Sequence, residues 1–452
     1  MLPAAAGQPK EDSVATKTVA DINVSGKAVL MRVDFNVPLK DGKVSNDRRI
    51  QQALPTIRKL LAGGAKLILM SHLGRPDGKY EPEGSLAPVA ARLGELVKAK
   101  VALGPKEVVG PEAEKLAAAL APGQILMLEN VRFHPGETMP DKARKNPDKK
   151  LTPEQAKVHD EFVAALARLG DVYVNDAFGT CHRKHASMYG VAKAVQAKGG
   201  PAVAGFLVEK EIRYLHEAVS SPRRPFVAIL GGAKVSDKIK LISKLLEKVD
   251  NVLIGGAMAY TLLKAKGVNV GKSLVEQDQV DEMRKLLQSK VSVAGPVVDV
   301  SGAQSAGRFP IAASRIILLP VDHVATDDFK AGKPQAVGGA DIPDNLMGMD
   351  IGPETVANFR QVISTAKTIV WNGPMGVFER PEYAAGTRAV AEAVAAATDK
   401  GAVSVIGGGD SATAVEEMKL DARMTHISTG GGASLEYLEG KPMPPIEILD
   451  KK

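Results

Sequence analysis

Short apolar runs recur along the chain with longer helix-patterned stretches between them, and this alternation restricts the fold more than any other feature. Runs occur at 28–34 (AVLMRVD), 66–71 (KLILMS), 124–128 (QILML) and 171–175 (DVYVN). Others follow at 226–230 (FVAIL), 251–254 (NVLI), 315–319 (RIILL), 368–371 (TIVW) and 403–406 (VSVI). Most are continuously apolar, as expected of strands covered on both faces. The stretches 51–62, 86–98 and 156–169 carry the helical repeat between them. Strands separated by helices predict an α/β chain of doubly wound, Rossmann-like parallel sheets built from βαβ units.

With 452 residues the chain is too long for one hydrophobic core. Glycine and proline interrupt the pattern at 197–205 (AKGGPAVAG), and 206–219 (FLVEKEIRYLHEAV) then reads as a linking helix. Two domains are expected, 1–200 and 206–434, joined by a hinge helix. In open parallel sheets ligands bind beyond the carboxyl ends of the strands. Function is therefore sought in the residues that follow each run.

Composition removes several alternatives. A single cysteine, Cys181, permits neither an intrachain disulfide nor a four-cysteine metal cage. No stretch of 18 apolar residues argues for a membrane span, and residues 1–12 lack the apolar core of a secretory signal. A cytoplasmic protein without a membrane partner is expected. Residues 1–200 hold 30 basic and 22 acidic side chains, against 29 and 30 in the remainder, so the excess positive charge lies in the first domain. Such a domain can steer an anionic metabolite or nucleic acid. No basic–aromatic interleaving accompanies the charge, so nucleic acid is not expected as a partner. The run Lys142, Arg144, Lys145, Lys149 and Lys150 reads as a solvated surface.

In the first domain, polar and cationic groups recur at strand ends. Asp34, Phe35 and Asn36 follow the first run, and Ser71, His72, Gly74 and Arg75 the second. Arg132 follows the third, and His182, Arg183 and His185 come after the fourth, while Arg48 and Arg49 open a helix near Ile50. Any one of these arginines could be a surface ion-pair partner. Several brought to one rim would repel one another unless a multiply charged anion joined them, and the guanidinium fork suits carboxylate and phosphate. His182 and His185 have a spacing that could suit zinc, but no further ligands complete such a site.

The second domain has glycine at its strand ends. Gly231-Gly232-Ala233-Lys234 follows one run and Gly255-Gly256-Ala257 the next. Asn372-Gly373-Pro374, Gly407-Gly408-Gly409-Asp410-Ser411 and Gly430-Gly431-Gly432 follow later. Glycine allows backbone amides close to a ligand, and a helix N-terminus behind them favours phosphate. With Lys234 and Lys238 placed on one helix face, the set reads as a polyphosphate cradle. The segment 267–273 (GVNVGKS) has one residue too few between its glycines for a Walker A loop, and no GxGxxG opens either domain.

Eight segments in order, RVDFNVPL, SHLGRP, LENVRFHPGE, VYVNDAFGTCHR, LGGAKVSDKI, WNGPMGVFE, GGGDSAT and GGGASLE, resemble the phosphoglycerate kinase family over about residues 17–449. The resemblance implies that Asp34, Asn36, Arg49, His72, Arg75, Arg132 and Arg183 bind 3-phosphoglycerate. It implies a nucleotide site at Gly232, Ala233, Lys234, Lys238, Gly256, Met349, Asn372, Gly373, Val377, Glu379, Gly409, Asp410 and Ser411. Met349 stands where leucine is more usual near the adenine. Asp410 is expected beside the Mg²⁺ that accompanies ATP or ADP, and 435–452 is expected to pack back on the first domain.

The implied reaction is reversible phosphoryl transfer between ATP and 3-phosphoglycerate, giving ADP and 1,3-bisphosphoglycerate, in line after hinge closure. An acceptor carboxylate needs no general base, so positioning and cationic donors supply the catalysis. Arg49 and Lys234 are assigned to the transferring group, with amides of Gly408, Gly409, Gly431 and Gly432 as further donors. A monomer is expected. The chain departs from the family pattern at 1–16, at a longer and more charged connection over 139–160, and at an apparent insertion over 291–313. Cys181 beside His182 and Arg183 reads as a buried filler, or alternatively as a thiol of lowered pKa. A doubly wound dehydrogenase and a non-catalytic anion or RNA binder are the rival classes. The first lacks its fingerprint loop; the second leaves Arg49, Lys234 and Asp410 without a purpose.

Overall fold

The computed structural model describes residues 16–143, 145–146, 148–288, 292–294 and 316–452. The chain divides into two compact units. One runs up to Arg213 and includes Pro442–Lys452, and the other is Tyr214–Lys441.

The first unit is built on β1 (Ala28–Val33), the small hairpin β2 (Leu39–Lys40) and β3 (Lys43–Val44), then β4 (Lys66–Met70), β5 (Val101–Leu103), β6 (Ile125–Met127), β7 (Val172–Asp176) and β8 (Ala202–Ala204). Six of these make one parallel sheet in the order β5-β6-β4-β1-β7-β8. β1, β4 and β7 are buried along almost their whole length, which is why their sequences show no alternation. The strand order reverses between β1 and β7, and the crevice beyond their carboxyl ends is where this topology places a ligand. The helix Arg48–Ala62 turns Ile50, Leu54, Ile57 and Leu60 into a core with Met31, Leu67, Leu69 and Val174.

The edge strand β8 is covered by two segments far apart in sequence, one at Thr18 and Val19 and one within Pro442–Lys452. Thr18 bridges Ala204, and the amide of Val19 donates to Ala204 O at 3.0 Å. On the returning segment Asp450 accepts from the amide of Ala202 at 3.1 Å and its own amide donates to Ala202 O at 2.8 Å. Asn175 Nδ2 donates to Pro445 O at 3.1 Å, and Gln196 to Ile448 O at 2.8 Å. Closing an edge in this way removes a template for unwanted strand pairing.

The helix Phe206–Ser220 leaves the first unit, and the division between the units falls within it. Its N-terminus is held by Asp176, the last residue of β7, whose Oδ1 accepts from the amides of Leu207 at 2.9 Å and Val208 at 3.3 Å. Burial pushes this carboxyl up to about 7, against the pull of those hydrogen bonds.

The second unit contains β9 (Phe226–Leu230), β10 (Asn251–Ile254), β11 (Ser292–Ala294), β12 (Ile316–Leu318), β13 (His323–Thr326), β14 (Gln335–Val337), β15 (Met347–Ile351), β16 (Thr368–Asn372), β17 (Val403–Gly407) and β18 (His426–Ile427). Seven of them form a second parallel sheet, β11-β12-β10-β9-β16-β17-β18, with its order reversing between β9 and β16. Trp371, Ile229, Leu253, Phe359, Val390 and Val394 lie in its core. A small antiparallel sheet, β14-β13-β15, stands apart and has no counterpart in the sequence reading. Of the stretch 291–313, β11 is described, while 291 and 295–313 lie outside the described residues, as do residues 1–15. Of the basic run, Lys145, Lys149 and Lys150 are exposed and Lys142 is half-buried, while Arg144 lies outside the described residues.

Candidate active site

In the first unit the strand-end residues converge. Asp34, directly after β1, pairs with Arg49 Nη1 at 2.8 Å and lies 3.9 Å from His72 Nδ1. Arg49 belongs to the first turn of the helix Arg48–Ala62, so the strand end and the helix start meet through this pair. Asn36 Oδ1 accepts from the amide of Gly74 at 2.8 Å, and Arg132 Nη1 donates to Gly74 O at 2.7 Å. One glycine thus ties the loops after β1, β4 and β6. Asn130 fastens the same loops by donating to Leu73 O at 2.7 Å and Gly84 O at 2.9 Å. Arg75 is exposed beside them.

Beneath these groups lies a charged residue that sequence reasoning missed. Arg32 is fully buried inside β1, an unusual place for a guanidinium. Its Nε donates to Ser187 Oγ at 2.8 Å, Nη1 to Val33 O, and Nη2 to His72 Nδ1 at 3.2 Å. Glu137, also fully buried, accepts from Ser187 Oγ at 2.7 Å and its amide at 2.9 Å. Because Nδ1 of His72 receives a proton from Arg32, its Nε2 carries the ring proton. Burial and the charges of Arg32, Arg132 and Arg49 hold His72 well below the ordinary histidine range, despite Asp34. Burial pushes Asp34 up, but its cationic surroundings, His72 with Arg49 and Arg32, outweigh this and hold it below the usual carboxylate value. With His72 neutral near pH 7, the arginines carry that effect.

Arg132 is pushed down to about 10 by burial and by the like charges of Arg32 and Arg183. Its Nε is buried without a partner. An unpaired buried guanidinium nitrogen among like charges is costly, and an anion would relieve both penalties. Arg183 pairs with Asp141 at 2.8 Å and donates from Nε to His182 Nε2 at 3.0 Å. Cys181 is buried, and burial pushes its thiol up, which fits the filler reading and not a reactive thiol.

The second unit brings together a different set. The loops after β9, β10 and β16 interlock: Gly231 N donates to Asn372 O, Gly232 N to Pro374 O and Gly256 N to Met375 O, each at 2.9 Å. A Cβ on Gly256 would stand 2.4 Å from Gly232 N, and one on Gly373 2.2 Å from Gly231 O. These glycines are required by close backbone packing, and the amides of Gly232 and Gly256 are already used. Gly373 N donates to Ser411 Oγ at 2.6 Å. Gly409, Gly431 and Gly432 face open space instead. Gly408 caps the helix Gly409–Glu417 at a φ of 88°, and Gly431 caps Gly432–Leu438 at a φ of 50°, both in the region that favours glycine.

Asn372 Nδ2 is buried without a partner, and a Cβ on Gly408 would approach it to 2.9 Å. Lys238 caps the helix Ile239–Leu246 and bends back to donate to Gly231 O. Burial pushes it down to about 8, against the pull of Asp410 and Asp237. Lys234 is exposed in the loop ahead of that helix, beside exposed Ala233, so the two lysines do not share a helix face. The tight turn at Gly231–Gly232 delays the helix start past both. Asp410 lies exposed in the first turn of Gly409–Glu417. Met349 is buried, its carbonyl accepting from the amide of Val377 at 2.9 Å, and Glu379 is exposed nearby in sequence.

Two doubly wound sheets, one ending in a cationic cluster and one in interlocked glycine loops, define a phosphotransferase acting between a nucleotide and a small anion. The chain belongs to the phosphoglycerate kinase family, whose model matches residues 19–441. The phosphoglycerate kinase of Chlorobium phaeobacteroides (strain BS1) is 50% identical over 438 residues, covering 96% of this chain and 99% of the relative. That of Clostridium novyi (strain NT) is 49% identical over 438 residues, with the same coverage. Among solved structures, phosphoglycerate kinase from Coxiella burnetii matches with a TM-score of 0.77 at 38% identity, covering 96% of this chain and 98% of that one. The Pyrococcus horikoshii OT3 enzyme matches with a TM-score of 0.75 at 33% identity, covering 95% and 97%. The chain is a kinase that transfers a phosphoryl group between ATP and 3-phosphoglycerate, the glycolytic reaction of its family.

Proposed function

We propose that the cationic cluster of the first unit, Asp34, Asn36, Arg49, His72, Arg75, Arg132 and Arg183, holds 3-phosphoglycerate. The buried, unpaired Nε of half-buried Arg132 carries this reading, since it is a strong donor awaiting an acceptor. His72 adds an Nε2 proton donor, and Asp34 holds Arg49 toward the reacting carboxylate. The loops of the second unit hold the nucleotide: Lys238 and Lys234 meet phosphate oxygens, Asn372 and Ser411 position the glycine loops, and Met349 and Val377 line the base.

Mg²⁺ fits this donor set. Among the described residues no three His, Cys, Asp or Glu side chains gather to hold a metal alone. One exposed carboxylate, Asp410, beside a phosphate site suits an ion that brings most of its oxygens from the nucleotide and water. When bound, the ion neutralises charge on the β and γ phosphates.

The acceptor carboxylate oxygen attacks the γ-phosphorus as the bond to the β,γ-bridging oxygen breaks, and ADP departs with that electron pair. Arg49 and Lys234, with the amides of Gly408, Gly409, Gly431 and Gly432, stabilise the charge on the transferring group. No described helix is long and apolar enough to cross a membrane, and we place the enzyme in the cytoplasm as a monomer.

Acyl-phosphate formation from Mg·ATP and 3-phosphoglycerate, trapped with hydroxylamine, tests the assignment. Replacement of Arg49 or Lys234 with alanine should lower kcat by roughly 10²-fold or more. An unchanged kcat in either variant would remove that residue from the reacting centre.

A further inference from the structure

The charged connection at 139–160 is not absorbed by the site described above, yet its first residues reach it. Asp141 lies in the short helix Met139–Ala143 and directs one carboxylate oxygen, Oδ2, at two residues of the opposite loop. That oxygen accepts from Arg183 Nη1 at 2.8 Å and lies 2.9 Å from His185 Nε2. His185 is fully buried, whereas Arg183 and Asp141 retain about a third of their exposure, 35% and 29%.

The two segments are tied at further points. The amide of Ala186 donates to Glu137 O at 3.0 Å, and Ser187 donates twice to the Glu137 carboxylate. Glu137, four residues before Asp141, thus fastens this segment to the loop that carries Arg183 and His185. Thr152 and Gln155 form a reciprocal cap on the helix Pro153–Ala167, and Asn146 Nδ2 donates to Gln155 Oε1 at 2.8 Å.

We propose that Asp141 is a positioning residue for Arg183: it fixes the guanidinium, held also through Nε by His182, in the orientation that receives the phosphorylated acceptor. The proposal rests on the reading of Arg183 as an acceptor ligand. Two of the guanidinium nitrogens are committed to protein partners, which leaves the group little rotamer freedom to lose when the anion arrives. Asp141 also places one negative charge beside a cluster in which Arg32 and Arg183 repel Arg132. His185, gripping the same oxygen, holds the carboxylate against Arg183 rather than against solvent.

Steady-state kinetics on Asp141→Ala, Asp141→Asn, Arg183→Ala and the Asp141→Ala/Arg183→Ala double variant test this. Asp141→Ala should raise KM for 3-phosphoglycerate by about 10-fold, the scale of one lost charge-assisted hydrogen bond. KM for ATP and kcat should stay within roughly twofold of wild type. Both bonds end on a single oxygen, which an amide oxygen can imitate, so Asp141→Asn should recover to roughly threefold of wild type. Its recovery also separates positioning from a general loss of folding. The double variant should be no worse than Arg183→Ala, because Asp141 acts only through that residue. A KM for the acceptor that is unchanged or lower in Asp141→Ala, while Arg183→Ala raises it, would overturn the proposal and leave Arg183 as a ligand. An unchanged KM in Arg183→Ala would instead overturn the reading beneath it.

Discussion

Replacing Asp176 with asparagine should make the stability of the chain less dependent on pH. The Asp176 carboxyl is fully buried at the start of the helix Phe206–Ser220, and burial pushes it up to about 7 from an ordinary value of 3.8. Below 3.8 the group is protonated folded or unfolded, and the stability it contributes is complete. Between 3.8 and about 7 the unfolded chain releases the proton while the folded chain keeps it, so stability falls as pH rises. The slope is about 1.4 kcal/mol per pH unit, and the loss accumulates to ~4 kcal/mol by the time the folded group ionises. Asparagine still offers an oxygen to the amides of Leu207 and Val208 but has no charge to bury. Urea unfolding of both proteins, followed by far-ultraviolet circular dichroism at intervals from about pH 4.5 to 8, gives the difference directly, because other titrating groups cancel. The stability of the variant relative to wild type should climb through this range and level off above about 7. A flat difference would refute the reasoning, since it would mean that Asp176 is already ionised in the folded chain and held so by the helix N-terminus.

Other expectations follow from the second unit. Gly256→Ala places a Cβ 2.4 Å from Gly232 N at a φ of 66°, so it should cost about 2 kcal/mol or more and raise KM for ATP more than for 3-phosphoglycerate. Lys238, lowered to about 8 by burial, is partly neutral above that pH in the free protein. Nucleotide phosphates should recharge it, so calorimetry near pH 8.5 in buffers of different ionisation enthalpy should show proton uptake on ADP binding; none would place Lys238 away from the phosphates. Ser411→Ala removes the acceptor for Gly373 N and should weaken nucleotide binding by roughly 5- to 10-fold with little change in acceptor KM.

The nine apolar runs all became strands of the two parallel sheets, because strands buried on both faces write their environment into every residue. The strands β5, β8 and β18 escaped notice because two or three residues carry no readable period. The antiparallel sheet escaped for another reason: β13 and β15 bury His323 and Asp350, residue types that pattern reading assigns to surfaces. The same bias hid Arg32 and Glu137, whose burial depends on each other through Ser187, far along the chain. The convergence of Asp34, Asn36, Arg49, His72 and Arg132 followed from topology alone. Their mutual geometry did not, and neither did the use of Gly232 and Gly256 amides in packing, since sequence marks a glycine without saying whether backbone or ligand approaches it. Asp141 and Arg183 are neighbours only because two loops are laced together, a relation with no local signature.

The cover on β8 has a consequence for how the protein is made. Half of that cover, the contacts of Ala202 with Asp450, is encoded after the whole of Tyr214–Lys441. At ordinary synthesis rates this interval lasts on the order of tens of seconds, during which the first unit has left the ribosome with that edge only half covered. An unpaired parallel edge in a crowded polysome can recruit the same strand from the chain next to it. The vulnerable interval for this edge is therefore the one before Pro442–Lys452 emerges and completes the cover that Thr18 and Val19 begin.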